Sequence, residues 1–456
     1  MTMKSTSVAA GVFLLATGCG SDGPNDGVND GTDTGGGTEI TTGTGTDTGT
    51  GTDTGVGDGD GDGDGDGDGD GDGDGDGVED LGGPDFGANP DDGSWDYIWI
   101  ANSPDGTVSK ISTWNNHEEG RYVSGPTGRQ DPSRTSVSLN GRYAAIANRN
   151  GGISVIAARE ENCKDSNNNG AIDTSTGKDN VLDWGDDECV IWNIDLPATG
   201  KAGPRAVAWN INSPTDTNGP GGDVWVGWAD GSTAVVRLMD GSTGETLQEV
   251  RVPNVGTYEY GPYGGAVDGE NNFWATVGQR GGRLMKIDGT TFEAKSFPNP
   301  DPTGGNDYGV HQYGMALDLE GNPLVVTHTT GKMYKFDAET ELWLPPLSGF
   351  GSARLRGMTV DAEGRAWVAM NATCGLAEVD TTTMTIINSE IAIPGCDTPV
   401  GVAADKAGYI WLVDEVAEVA YKINPDTFAM NVVTGLVKPY TYSDMTGAGL
   451  ALQGPT

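Results

Sequence analysis

Gly357-Met-Thr-Val-Asp361 is followed six residues later by Trp367-Val-Ala-Met370, and Gly401-Val-Ala-Ala-Asp405 by Trp411-Leu-Val-Asp414. The same spacing links Gly264-Gly-Ala-Val-Asp268 to Trp274 and Gly314-Met-Ala-Leu-Asp318 to Leu324. A second landmark recurs 13 or 14 residues further on, as Lys286-Ile-Asp288, Lys335-Phe-Asp337, Glu378-Val-Asp380 and Lys422-Ile-Asn424. Short alternating apolar runs bounded by Gly, Asp and Asn are strand and hairpin signals, and no 3.6-residue period is sustained among them. Several strands per unit of ~40–50 residues is the sequence signature of a propeller blade. A single blade cannot bury its own faces, so blades must stack around an axis.

Seven runs read as second strands of blades: Ile98-Trp-Ile-Ala, Tyr143-Ala-Ala-Ile, Val224-Trp-Val-Gly, Phe273-Trp-Ala-Thr, Leu324-Val-Val-Thr, Ala366-Trp-Val-Ala and Ile410-Trp-Leu-Val. The first has no inner strand before it, whereas Gly449-Leu-Ala-Leu-Gln453 fits the Gly-x-Ala-x-Asp slot with no blade after it. The expected fold is all-β. It is a seven-bladed β-propeller of four-stranded antiparallel blades over residues 94–456, closed by pairing of the C-terminal strand with the first blade, which removes the exposed sheet edge. Trp99, Trp225, Trp274, Trp367 and Trp411 share one blade position and are expected in the core. Trp184 and Trp228 fall outside that position and are freer to meet a ligand.

The Gly-x-Ala-x-Asp-x-x-Gly-x-x-Trp-Val pattern with its later Lys-Ile-Asp resembles the NHL and streptogramin-lyase-like propellers across nearly all of residues 95–456. Such a fold hosts many activities. The resemblance implies a ligand face built from the loops that enter the inner strand and leave the second. On this chain that scheme brings His311, His328, Glu415, Tyr263, Tyr313, Arg356, Asn371, Asn102, Asn148 and Asp414 to one mouth. His311, His328 and Glu415 are the candidate acid–base residues. The lyases the pattern resembles use a His just before the repeat Gly and a Glu at the end of the next strand. Here those slots hold Tyr313 and Thr327 in one blade, Tyr263 and Val277 in another.

An insertion, residues 158–189, carries Asp165-Ser-Asn-Asn-Asn-Gly170-Ala-Ile-Asp173, which resembles the calcium loops of EF-hands, dockerins and thrombospondin type 3 repeats. Asp165, Asn167, Asn169 and Asp173 offer side-chain oxygens and Ala171 a carbonyl, the hard ligands that Ca²⁺ takes. Thr176 stands where the bidentate Glu belongs, so either Asp179 or Asp183 substitutes or the affinity is low. Cys163, Cys189, Cys374 and Cys396 form an even set, expected as Cys163–Cys189 and Cys374–Cys396 in an oxidising compartment.

The chain carries a net charge of −41 and 75 glycines, and its composition is split. Residues 20–92 hold 22 acidic residues and no Lys or Arg, ending in alternating Gly-Asp. Such a segment buries no apolar surface and is expected to be a disordered spacer with an r.m.s. reach of ~45–50 Å. Ahead of it, Lys4 and the apolar run Val8 to Ala16 read as an export signal too short to span a bilayer. Leu15-Ala-Thr-Gly-Cys19 resembles the lipobox of bacterial lipoproteins, in which the Cys is acylated. Gly20 after it resembles lipoproteins sent to an outer membrane. The expected plan is a signal peptide, 1–18, a tether, 19–93, lipidated at Cys19, and the propeller. Its acidity argues against nucleic acid as a partner. No H-E-x-x-H, Walker A or G-x-S-x-G motif occurs. The expected role is a monomeric envelope module binding a protein, peptide or glycan and carrying a structural calcium. The alternative is a lyase or hydrolase of the resembled type.

Overall fold

In three blades the aspartate that ends the inner strand accepts a hydrogen bond from the indole N–H six residues on: Trp274 Nε1 to Asp268 (2.7 Å), Trp367 to Asp361 and Trp411 to Asp405 (2.8 Å each). The same carboxylates accept the backbone N–H groups of the intervening turn, as from Asn272, Arg365 and Tyr409. The repeat spacing is therefore a hairpin lock, with one carboxylate fixing the turn and the tryptophan beneath it. In blade 5, whose second strand has Leu324 in the tryptophan position, Lys335 Nζ takes the carboxylate of Asp318 instead, at 2.6 Å. All five repeat tryptophans are at most 1 % exposed.

The structure is a computed structural model that describes residues 97–211, 219, 221–255, 260–278, 282–300, 312–328, 330–350 and 354–454. The segments expected as signal and tether, with Cys19, and also His311 lie outside the described residues. Seven antiparallel sheets follow in chain order. Blade 1 has strands Tyr97–Asn102, Thr107–Ser112 and Glu118–Val123. Blades 2 to 7 are four-stranded, with inner strands Pro132–Val137, Val207–Trp209, Pro262–Val267, Gln312–Leu317, Leu355–Val360 and Pro399–Ala404. Successive inner strands are neighbours around the axis. Among the described residues no helix is long and apolar enough to cross a membrane.

The ring closes as expected, but with a different segment. Ala448–Gln453 is a helix, not a strand. The fourth position of blade 1 is filled by residues 439–445, which bridge Asn102 to Pro439 and pair Tyr440 N with Ala101 O (2.9 Å) and Trp99 N with Met445 O (3.0 Å). The side chain of Asp444 decides the switch to helix, accepting the N–H groups of Gly449 and Leu450 at 3.0 and 2.8 Å, the first-turn donors that no helix satisfies itself. Gly447 supplies the preceding left-handed turn at φ 82°. Both disulfides form as expected, Cys163–Cys189 and Cys374–Cys396, with Cα separations of 4.4 and 5.7 Å.

Candidate functional site

The inner strands run so close at the axis that most blades need glycine there. A Cβ on Gly314 would lie 2.2 Å from Arg356 O, on Gly357 2.5 Å from Val400 O, and on Gly401 1.8 Å from Thr441 O. Blade 2 breaks this rule. After the same proline-led bulge, Gly264 pairs with Thr276 in blade 4, while Arg134 pairs with Ala147 in blade 2. Arg134 thus occupies the glycine slot and sends its side chain across the axis.

One position earlier stand Arg205, Tyr263, Tyr313 and Arg356, and the closing segment adds Tyr440 and Tyr442. Together they fill the axis at one mouth. The Arg134 guanidinium carbon lies 3.4 Å from the ring centre of Tyr442, 4.9 Å from Tyr263 and 6.0 Å from Tyr440. Arg205 lies over Tyr260 and Tyr263 (4.8 and 5.6 Å), Arg149 over Tyr440 (5.2 Å), and Arg356 over Tyr313 (5.8 Å). Tyr313 stacks on Tyr442 at 5.0 Å, meets Tyr263 at 5.5 Å and shares a 2.5 Å hydroxyl contact with Tyr440. Blades 1, 2, 3, 4, 5 and 6 all contribute, so the cluster exists only in the closed ring.

Arg134 is 1 % exposed. Its Nη1 donates to Ser133 O at 2.7 Å, while Nε and Nη2 have no hydrogen-bond partner among the described residues. Burial opposes its charge, yet the tyrosine oxygens around it hold its pKa above the ordinary value. Arg356 is held above its ordinary value in the same way, against its own burial, by Tyr313 and Tyr440 and then by Glu415. Its Nη1 is 3.7 Å from Glu415 Oε2.

Of the residues predicted for the mouth, Tyr263, Tyr313, Arg356, His328 and Glu415 belong to this connected set. His328 is half-buried with its ring 5.4 Å from Tyr313. Asn371 is half-buried, and its N–H reaches Arg354 O. Asn102, Asn148 and Asp414 are fully buried and build the blades. Asn102 accepts from Val437 N and donates to Ser109, and Asn148 exchanges two bonds with Ser124. Asp414 accepts the N–H groups of Asp397, Thr398, Val416 and Ala417, an inward-folded cap rather than a ligand-facing carboxylate. Trp228, expected to be freer, is 2 % exposed beneath the Arg237 guanidinium, which lies 5.0 Å from its ring. Trp184 is half-buried. Sequence reasoning missed Arg134, Arg205, Tyr440 and Tyr442. The signal for Arg134 was an arginine where four other blades have glycine.

The opposite end of the axis differs. A cavity of about 60 Å³, lined by Trp209, Val267, Met315, Leu317, Asp444 and Leu450 among others, lies beneath the C-terminal helix. That is room for a few waters at ~10–15 Å³ each. Gln453 Nε2 ties the helix to Asp318 O at 2.8 Å. Asp444 is half-buried beneath the helix, and loss of hydration pushes its carboxyl up to about 6 against the three backbone N–H groups that favour the anion.

In the insertion, Asp165 accepts from Asn169 N and Gly170 N (3.1 and 3.0 Å), and Asp173 Oδ2 accepts from the side-chain amides of Asn167 and Asn169 (2.8 and 2.9 Å). Asn169 Oδ1 accepts from Ala171 N at 2.8 Å. Ile172 packs on the core as expected. The carboxylate that braces the loop's backbone is Glu188. It accepts Ser166 N, Asn167 N and Asp173 N, and the last of these bonds leads in holding its pKa below the usual range. Thr176 instead accepts from Asn180.

The chain matches no protein-family model and no curated protein. Among solved structures, one described as a streptogramin B lyase structure superposes with a TM-score of 0.50 at 15% identity, over 70% of this chain and 87% of that one. A functionally unknown protein from Desulfotomaculum acetoxidans DSM 771 superposes at 0.51 and 9% identity, over 76% and 98%. At these identities the likeness is one of fold. The chain is a seven-bladed β-propeller of the architecture seen in streptogramin B lyase.

Proposed function

We propose that this chain is an exported lipoprotein, tethered through Cys19, whose propeller is a non-catalytic ligand-binding module of the cell envelope, with the arginine–tyrosine mouth as its binding face. The observation that carries the reading is the makeup of that mouth. Tyrosine, titrating near ~10, and arginine, charged at all working pH, are strong recognition groups and poor proton shuttles near neutrality. A lyase of the resembled type needs a His and a Glu in slots that here hold tyrosine and threonine or valine. The ligand class is an envelope protein, peptide or glycan.

Retention of envelope-extract components by the immobilised full chain tests the reading. Arg356→Ala at the mouth is expected to abolish retention, and Leu319→Ser, at an exposed residue 43 % accessible on a hairpin of the other face, to preserve it. Equal retention by both variants overturns it. Metabolic palmitate labelling that survives Cys19→Ala overturns the anchor.

The insertion supports a structural calcium held by Asp165, Asn167, Asn169, Asp173 and the Ala171 carbonyl, on a base braced by Glu188. Extracellular calcium modules work at Kd ~10⁻⁴–10⁻³ M. Calorimetric titration is expected to give saturable heat that Asp165→Ala removes; no heat at millimolar calcium refutes the assignment.

A further inference from the structure

Building on the funnel reading above, we propose that the mouth binds its ligand through a carboxylate, gripped side-on by Nε and Nη2 of Arg134. These two nitrogens lie on one edge of the guanidinium and present parallel N–H bonds, the fork that matches the two oxygens of a carboxylate. They are also the two nitrogens of Arg134 without a hydrogen-bond partner among the described residues, in a side chain 1 % exposed. The third nitrogen is tied to Ser133 O, which fixes the direction of the fork.

A buried permanent cation is costly unless an anion or a set of acceptors compensates it. The partners the fold supplies to Arg134 are ring faces of Tyr442, Tyr263 and Tyr440. Ring faces hold the plane of a guanidinium and leave the N–H groups of its edge without an acceptor among the described residues. Among the described residues no carboxylate lies within ion-pair distance of it. The surroundings are cationic as well, with Arg205 sharing the Tyr263 ring and Arg356 on Tyr313, against one carboxylate, Glu415, at 3.7 Å from Arg356. In a chain of net charge −41, a patch where guanidinium groups face tyrosines is an electrostatic exception that draws anions to the axis.

The position of Arg134 adds an independent argument. The axis favours glycine at this slot for steric reasons, and alanine would satisfy strand geometry at lower cost than a buried arginine. Packing alone does not account for a guanidinium there; recognition of an anion does. The tyrosine walls also suit a ligand whose carboxylate hangs from an apolar or aromatic stem.

The test is equilibrium titration of the full chain with acetate, benzoate and inorganic phosphate, in chloride buffer of constant ionic strength. Benzoate is expected to bind at millimolar concentration and more tightly than acetate. Arg134→Lys, which keeps the charge and loses the fork, is expected to weaken benzoate by about tenfold. Arg251→Gln, an exposed control on the outer strand of blade 3, is expected to leave it unchanged. A readout independent of folding of the variant is the Nε–H resonance of Arg134 in wild-type protein, expected to shift on benzoate addition. Absence of carboxylate binding, binding of phosphate alone, equal binding by Arg134→Lys, or a static Nε–H resonance each overturns the proposal. If extract retention is lost in Arg356→Ala while no carboxylate binds, the carboxylate assignment falls and the funnel reading stands. If retention is unaffected by Arg356→Ala, the funnel reading falls first.

Discussion

The two ends of the propeller axis are built from the same inner strands and have opposite physics. At the end where the inner strands begin, the axis is packed with arginine guanidinium groups and tyrosine rings, drawn together from six blades. At the end where they finish, it is mainly apolar around one carboxyl, Asp444, holds a cavity of about 60 Å³ and is closed by a six-residue helix. One mouth is filled by buried recognition groups, and the other is sealed by the chain's own tail. The asymmetry comes from a few side chains and the tail.

The sharpest way to break this comparison is to delete residues 438–456. Blade 1 then loses its inner strand and the axis loses both Tyr440 and Tyr442 and the closing helix. Loss of cooperative unfolding, followed by urea denaturation, is the expected result. A retained sharp transition would mean that the tail decorates a ring that is already closed. Next in size is Leu450→Ala, which removes a side chain 6 % exposed from the sealed end. It is expected to cost about 2–3 kcal/mol, within the range for buried leucines, read from the denaturation midpoint.

Asp444 makes the sealed end pH-sensitive. Its carboxyl is raised to about 6 in the fold, above the ordinary ~3.9, so the native state binds a proton more tightly than the unfolded chain. Its contribution to stability is therefore complete below about pH 4 and lost as pH rises through about 6. The magnitude is on the order of 2 kcal/mol. Asp444→Asn should flatten this part of the profile, and an unchanged slope between pH 4 and 6 would assign the dependence elsewhere. The smallest effect belongs to the open end. Arg134→Met replaces a buried cation with an apolar chain of similar length and is expected to raise stability by about 1 kcal/mol in anion-free buffer. A thermal scan showing destabilisation would mean that the tyrosine cage already compensates the charge.

Much of the ring was legible because blades are local. Asp361 and Trp367 lie six residues apart on one hairpin, so the bond between them imprints a fixed spacing on the sequence. The two cysteine pairs, 26 and 22 residues apart, were legible for the same reason. The closing strand was misread because Gly449-Leu-Ala-Leu-Gln453 carries the repeat's outline, while its conformation is decided by a carboxylate five residues upstream. Glu188 was not among the carboxylates expected in the insertion, because it arrives beside the Cys163–Cys189 disulfide and no local spacing records it. At the mouth, the tyrosine slots were visible as departures from the lyase pattern, but Asn102, Asn148 and Asp414 turned inward.

By itself the sequence determined the repeating blades and the spacing of their hairpins, the pairing of the cysteines and the compositional break before the propeller, because each is written in short-range spacing. Tertiary structure alone decided what the axis contains. Arg134 meets Tyr263 and Tyr442 across gaps of over a hundred and over three hundred residues, and no periodicity records which side chains face one another once a ring has closed. The reason is geometric: strand spacing is set between neighbours along the chain, whereas the axis is where strands remote in sequence meet.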